Sequence, residues 1–306
     1  MSRKVKLSYV PHGINPKTYF PITPDHPDWA EFSKFQSDFK EKNGVEFVVF
    51  WQNRNIRRKQ PGDVILAFRR FCDFLPKEKQ QKVCLLMKTQ IADENGTDLM
   101  AVKKNICPNY KVFFNQELLH PKLMNFFYNL ADVTINIASN EGFGLSNAES
   151  IMAGTPTITN VTGGLQDQCG FVDDDGAPIQ FTPVFPSNHA GTYKMHGNWT
   201  KSVFPSNRSL QGSIPTPYIF DDRCKFEDVA DAIRYWFDLP TDTRKQFGLE
   251  GRNWMLQAEV GLNSGEMCNR MMKSIDTLFE TWESPSKFEV TKFKPKQYPD
   301  NIGIVF

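Results

Sequence analysis

ADVTINIASNEGFGLSNAESIMAGTPTITNVTGG, residues 131–164, is the stretch on which the fold turns. An apolar run at 133–138 ends in a small polar turn and in Glu141-Gly142-Phe143-Gly144-Leu145. A helical stretch at 147–153 follows, and the chain then returns to an apolar run at 157–161. Strand, helix and strand in this order predict two parallel neighbours, since parallel strands need a crossover connection. The glycines on either side of Phe143 let the backbone turn tightly and approach a ligand closely. The helix start beyond them offers unpaired amides and the positive end of a dipole, a combination that attracts phosphate. In open α/β sheets the crevice outside the carboxyl ends of the strands is the binding site, and this turn lies at such an end.

The alternation extends on both sides. Residues 45–51 read as a buried strand, 52–60 as a polar loop, and Pro61 as the first-turn residue of a helix running through Ala67 and Phe71. Short apolar strands are expected at 83–87 and 111–114, and a helix at 121–130 with Leu123, Phe126, Phe127 and Leu130 on one face. The pattern dissolves between about 170 and 222 into Gly, Pro, Ser and aromatic residues, read as an irregular insertion. Helices return at 227–239, 241–257 and 264–282. Residues 1–30, with prolines at 11, 16, 21, 24 and 27, read as an extended linker-like segment, residues 31–283 as one α/β domain, and residues 284–306 as an extended tail.

Composition bounds the rest. With 40% hydrophobic residues the chain can bury a substantial core, and no apolar run approaches the roughly 20 residues of a membrane span. The N-terminus lacks an apolar stretch of signal-peptide length, so the expected location is cytoplasmic. A net charge of +1 gives no field that draws nucleic acid, so any anion site must be local. The six cysteines form no C-x-x-C pair and read as reduced thiols. The one cationic cluster is Gln52-Asn53-Arg54-Asn55-Ile56-Arg57-Arg58-Lys59, also at the carboxyl end of a strand.

Glu141 and Glu149, separated by seven residues, resemble the Glu-x7-Glu motif of family 4 and related retaining GT-B glycosyltransferases. The resemblance includes the preceding LADVTINIASN and the following AESIMAGTPTITNVTGG, about thirty contiguous residues. It implies a Rossmann-like parallel sheet flanked by helices, the C-terminal half of a GT-B fold, with a nucleoside-diphosphate sugar as donor substrate. It also implies Glu141 as the catalytic residue, the backbone of Gly142, Phe143, Gly144 and Leu145 against the donor sugar, Ser146 near the diphosphate and Glu149 on the ribose. Gly163 and Gly164 complete the donor-binding set. Ser146-x-x-Glu149 is equally a capping box. An arginine and a lysine on the cationic loop are implied to bind the diphosphate: Lys59, with Arg54 or Arg58 as the arginine. Residues 113–119 are implied to flank the base.

A further similarity, YVPHGINPKTYFP at 9–21, is to the segment joining the two domains of such enzymes. It implies that this chain lacks the acceptor domain, which is missing, supplied by another chain or replaced. The alternative is a non-catalytic nucleotide-sugar-binding module or a truncated remnant lacking the acceptor domain. His12 and His120 read as structural residues. With cations and a helix start in place, and no Asp-x-Asp near them, the site is expected to hold no metal and to need no cofactor. The base, the sugar and the acceptor stay open.

Overall fold

The computed structural model describes residues 7–179 and 185–283. Helix α1 (Trp29–Asn43) precedes strand β1 (Phe47–Gln52). Helices α2 (Pro61–Phe74) and α3 (Lys77–Gln80) lead to β2 (Val83–Lys88), and α4 (Leu99–Ile106) leads to β3 (Lys111–Asn115). There follow α5 (Pro121–Leu130), β4 (Val133–Asn136), α6 (Leu145–Met152) and β5 (Thr157–Asn160). Strands β6 (Thr200–Val203), β7 (Asn207–Ser213) and β8 (Thr216–Arg223) come next, then α7 (Phe226–Asp238), α8 (Thr241–Leu256) and α9 (Ser264–Thr281).

Six strands form one parallel sheet in the order β3-β2-β1-β4-β5-β6. The order reverses between β1 and β4, where Val49 and Phe50 pair with Val133 and Thr134. A reversal of this kind opens a crevice at the carboxyl edge, because the connections leave the two central strands toward opposite faces. Both faces are covered. Phe47, Val49 and Trp51 of β1 pack with Ile65 and Phe68 of α2 and Ile233 and Trp236 of α7, while Val48 and Phe50 point the other way onto Phe127 and Tyr128 of α5. Because both faces are buried, β1 reads as a continuous apolar run without alternation.

Three features go beyond the sequence pattern. The segment 170–222 is not wholly an insertion: β6 within it is an edge strand of the main sheet, paired with β5 from Thr157↔Thr200 to Asn160↔Val203. Strands β7 and β8 form a separate antiparallel hairpin. Four residues of mixed polarity carried too little pattern to mark β6 as a strand. Part of the linker-like segment is docked, since Ile14 forms a parallel bridge with Asn263 and Asn125 binds the backbone of Phe20 in both directions. Helices α1 and α4 lay outside the expected elements; α1 buries only Phe32 fully, with Trp29, Phe35 and Phe39 packed partly buried against the core among charged residues. The expected tail, 284–306, lies outside the described residues. No described helix is long and apolar enough to cross a membrane.

Candidate functional site

The sheet brings the β1 loop and the β4 loop together at the reversal point. A single 3-10 turn, Arg57–Lys59, carries the cations. Lys59 Nζ pairs with one carboxylate oxygen of Glu141, and Arg58 Nη1 lies 2.9 Å from the other. Arg58 also donates to the Asn140 carbonyl at 2.9 Å. The Lys59 and Glu141 side chains are only 11% and 6% exposed, so this pair is largely out of water. Burial lowers the Lys59 ammonium below its ordinary pKa, against the opposing pull of Glu141. Two cations face one carboxylate, which leaves the cluster with one net positive charge.

The Glu141 corner is shaped for approach. A Cβ on Gly142 would meet nothing within 4 Å, so the space above its backbone is open. Gly144 has φ +95 and serves as the N-cap of α6, a conformation L-residues avoid. No side chain caps α6, and its first-turn amides face the same end of the sheet as the cations. The Phe143 carbonyl is held from behind by Gln168 Nε2 at 2.7 Å. Ser146 lies inside the helix, where its hydroxyl accepts from Asn136 Nδ2 at 3.3 Å, so the capping-box alternative is not realised. Leu145 is 54% exposed beside the corner.

Glu149 sits one turn further on and accepts the Tyr128 hydroxyl at 2.7 Å; Tyr19 makes a second such bond. Burial raises its carboxyl pKa, and both tyrosine bonds oppose that shift. Tyr128 in turn lies 3.4 Å from Gln52 at the end of β1. The carboxylate is thus fixed in place by phenols that a sequence pattern does not connect with it.

Other candidates are placed elsewhere. Arg54 does not join the cluster: Asp93 holds its guanidinium through Nε at 2.8 Å and Nη2 at 3.3 Å, and its side chain is 61% exposed. Of the two arginines left open, Arg58 is the one beside Lys59 and Glu141. Gly163 and Gly164 back the corner and do not face the open space. A Cβ on Gly163 would lie 2.1 Å from the Glu141 carbonyl oxygen and one on Gly164 2.3 Å from that of Gly142, and Gly164 N donates to Glu141 O at 3.0 Å. Their small size lets two backbones pack together. The ring of His12 lies 5.3 Å from that of Phe143, and His120 caps α5 by accepting from Lys122 N. Residues 113–119 lie around the carboxyl end of β3, with Leu118 fully exposed.

Asp221, Asp222 and Arg223 were not visible as site residues in the sequence. Asp221 accepts from Ser139 and Asn140, Asp222 from Thr162, and Arg223 lies on Gln60 and Asp63. No spacing rule links them to the cationic loop, because the contact depends on the hairpin folding back over the sheet edge. Among the described residues no three His, Cys, Asp or Glu side chains come together as metal ligands.

Residues 32–170 match the sequence profile of the family described as glycosyl transferases group 1. This segment belongs to that family. The group 1 segment contains the cationic turn, the Glu141 corner, α6 and Glu149. Solved structures of similar fold include a sucrose-phosphate synthase from Thermosynechococcus elongatus (TM-score 0.58, 17% identity, covering 89% of this chain and 53% of that one). Anabaena HepE in complex with UDP has a TM-score of 0.59 at 13% identity, over 87% of this chain and 56% of the other. An α,α-trehalose 6-phosphate synthase from Burkholderia multivorans has a TM-score of 0.60 at 12% identity, over 90% and 52%. The chain spans about half the length of these structures. No curated protein gives a significant match. The six-stranded sheet flanked by helices is that of a Rossmann-like half of a GT-B fold.

Proposed function

We propose that the chain binds a nucleoside-diphosphate sugar at the β1–β4 crevice and supplies the donor half of a glycosyl transfer that retains configuration. One observation carries the reading: Arg58 and Lys59 meet the Glu141 corner at the reversal point, with net positive charge beside an uncapped helix start. A diphosphate is the ligand such a site suits, because cations and helix amides both stabilise it. Departure of the nucleotide builds negative charge on the leaving oxygen and positive charge on the sugar. Arg58 and Lys59 neutralise the first, and Glu141, released from them as the diphosphate binds, stands beside the sugar. Glu149, fixed by Tyr19 and Tyr128, takes the ribose hydroxyls. That HepE was crystallised with UDP and with UDP-glucose supports this ligand class.

A second reading is a nucleotide-sugar-binding module without turnover. Incubation of the protein with anomerically labelled UDP-, GDP- and ADP-glucose, with and without simple saccharide acceptors, separates the two. Release of nucleotide with an α-configured product supports the enzyme. Binding without release supports the module, and an inverted product overturns retention.

A further inference from the structure

Strands β7 and β8 form a hairpin whose outer half stands in solvent, with Leu210, Ile214 and Tyr218 exposed. A two-stranded hairpin is marginally stable alone, so it depends on its root. Three consecutive residues at that root touch three different loops of the crevice. The Asp221 Oδ1 atom accepts from Ser139 Oγ at 3.0 Å and Asn140 Nδ2 at 3.3 Å on the β4 loop. Asp222 Oδ2 accepts from Thr162 Oγ1 at 2.8 Å after β5, and its amide donates to the Ser139 carbonyl at 2.8 Å. The Arg223 guanidinium donates to Gln60 Oε1 at 2.5 Å and pairs with Asp63 at 3.3 Å, immediately after the cations.

These bonds close a circuit. Ser139 N donates to the Arg58 carbonyl at 2.7 Å, and Arg58 Nη1 returns to the Asn140 carbonyl and to Glu141. The turn that holds Arg58 and Lys59 is only three residues long, places no apolar residue in the core and is followed by Gln60 in a left-handed conformation. Such a turn has little of its own to keep two like charges side by side against one carboxylate. Ser139 has one hydroxyl hydrogen and two acceptors in reach, Asp221 and the Arg58 carbonyl. The shorter bond to Asp221 fixes the Ser139 side chain and so the backbone that grips Arg58.

We propose that Asp221 is a positioning residue and that the hairpin root, residues 221–223, is a brace setting the cationic turn against the Glu141 corner. The consequence for ligand binding rests on the donor-site reading; the brace itself does not. Hydrogen exchange by mass spectrometry on the full chain tests it with Asp221→Ala, Asp221→Asn and Ser139→Ala. Asp221→Ala and Ser139→Ala accelerate exchange about fivefold, the order of one net hydrogen bond, at 57–60 and 139–142, leaving 83–88 unchanged. Asp221→Asn keeps an acceptor oxygen and stays near the parent rate. Acceleration confined to 207–223, or none in either loop, shows that the root only anchors the hairpin and overturns the brace. Titration of UDP, GDP and ADP in parallel separates the two claims. Failure of every nucleotide to bind the parent protein refutes the donor site, while the exchange pattern still decides the brace.

Discussion

Arg54 and Arg58 occupy the same loop and carry the same charge, yet their surroundings assign them opposite parts. Asp93 satisfies Arg54 at the surface, whereas Arg58 shares Glu141 with Lys59. A charge-assisted bond to phosphate is worth about 1.5–3 kcal/mol, so Arg58→Ala weakens nucleoside-diphosphate binding by roughly tenfold or more in calorimetry. Arg54→Ala leaves it within about twofold, and the reverse ranking contradicts the placement. Asp167, which accepts the Tyr9 hydroxyl at 3.0 Å, gives a pH prediction. Burial raises its carboxyl to about 6, so the folded chain holds that proton more tightly than the unfolded chain. Its contribution to stability is present below the ordinary carboxylate value of about 3.9 and is lost as pH rises to about 6. Asp167→Asn removes this loss, and its melting-temperature advantage over the parent grows between those limits; a constant difference contradicts the assignment.

Among the elements, the loop-to-loop contacts depend on glycines whose backs are occupied. A Cβ on Gly164 would lie 2.3 Å from Gly142 O and 2.6 Å from Phe143 Cα, both backbone atoms that cannot rotate away. Gly164→Ala therefore destabilises by about 1–3 kcal/mol in chemical denaturation, whereas Gly142→Ala, with open space above it, costs less than about 1 kcal/mol. Equal losses contradict the packing argument. The strands flanking these loops were legible in the sequence because parallel strands buried on both faces spell apolar runs, and α6 because a glycine pair preceded it. Strand β6 was not, since Thr200, Lys201 and Ser202 form an edge that polar residues can occupy. The Glu141 corner could be read from spacing along the chain. The bonds from Asp221 and Arg223, and from Tyr128 to Glu149, could not, because each joins residues more than twenty apart through tertiary packing.

The molecule as a whole is a doubly covered parallel sheet whose strand order reverses once, and the reversal places the cationic turn, the open Gly142 backbone and the start of α6 at one edge. That these parts hold a diphosphate together is the claim from which donor binding and transfer follow. Its direct test is an amide NMR titration of the full chain with UDP, GDP and ADP, following residues 58–60 and 142–146. The account predicts that at least one nucleotide shifts both sets of amides with a single dissociation constant, and that Lys59→Ala abolishes the response. Shifts in neither set, or in one set alone, contradict it.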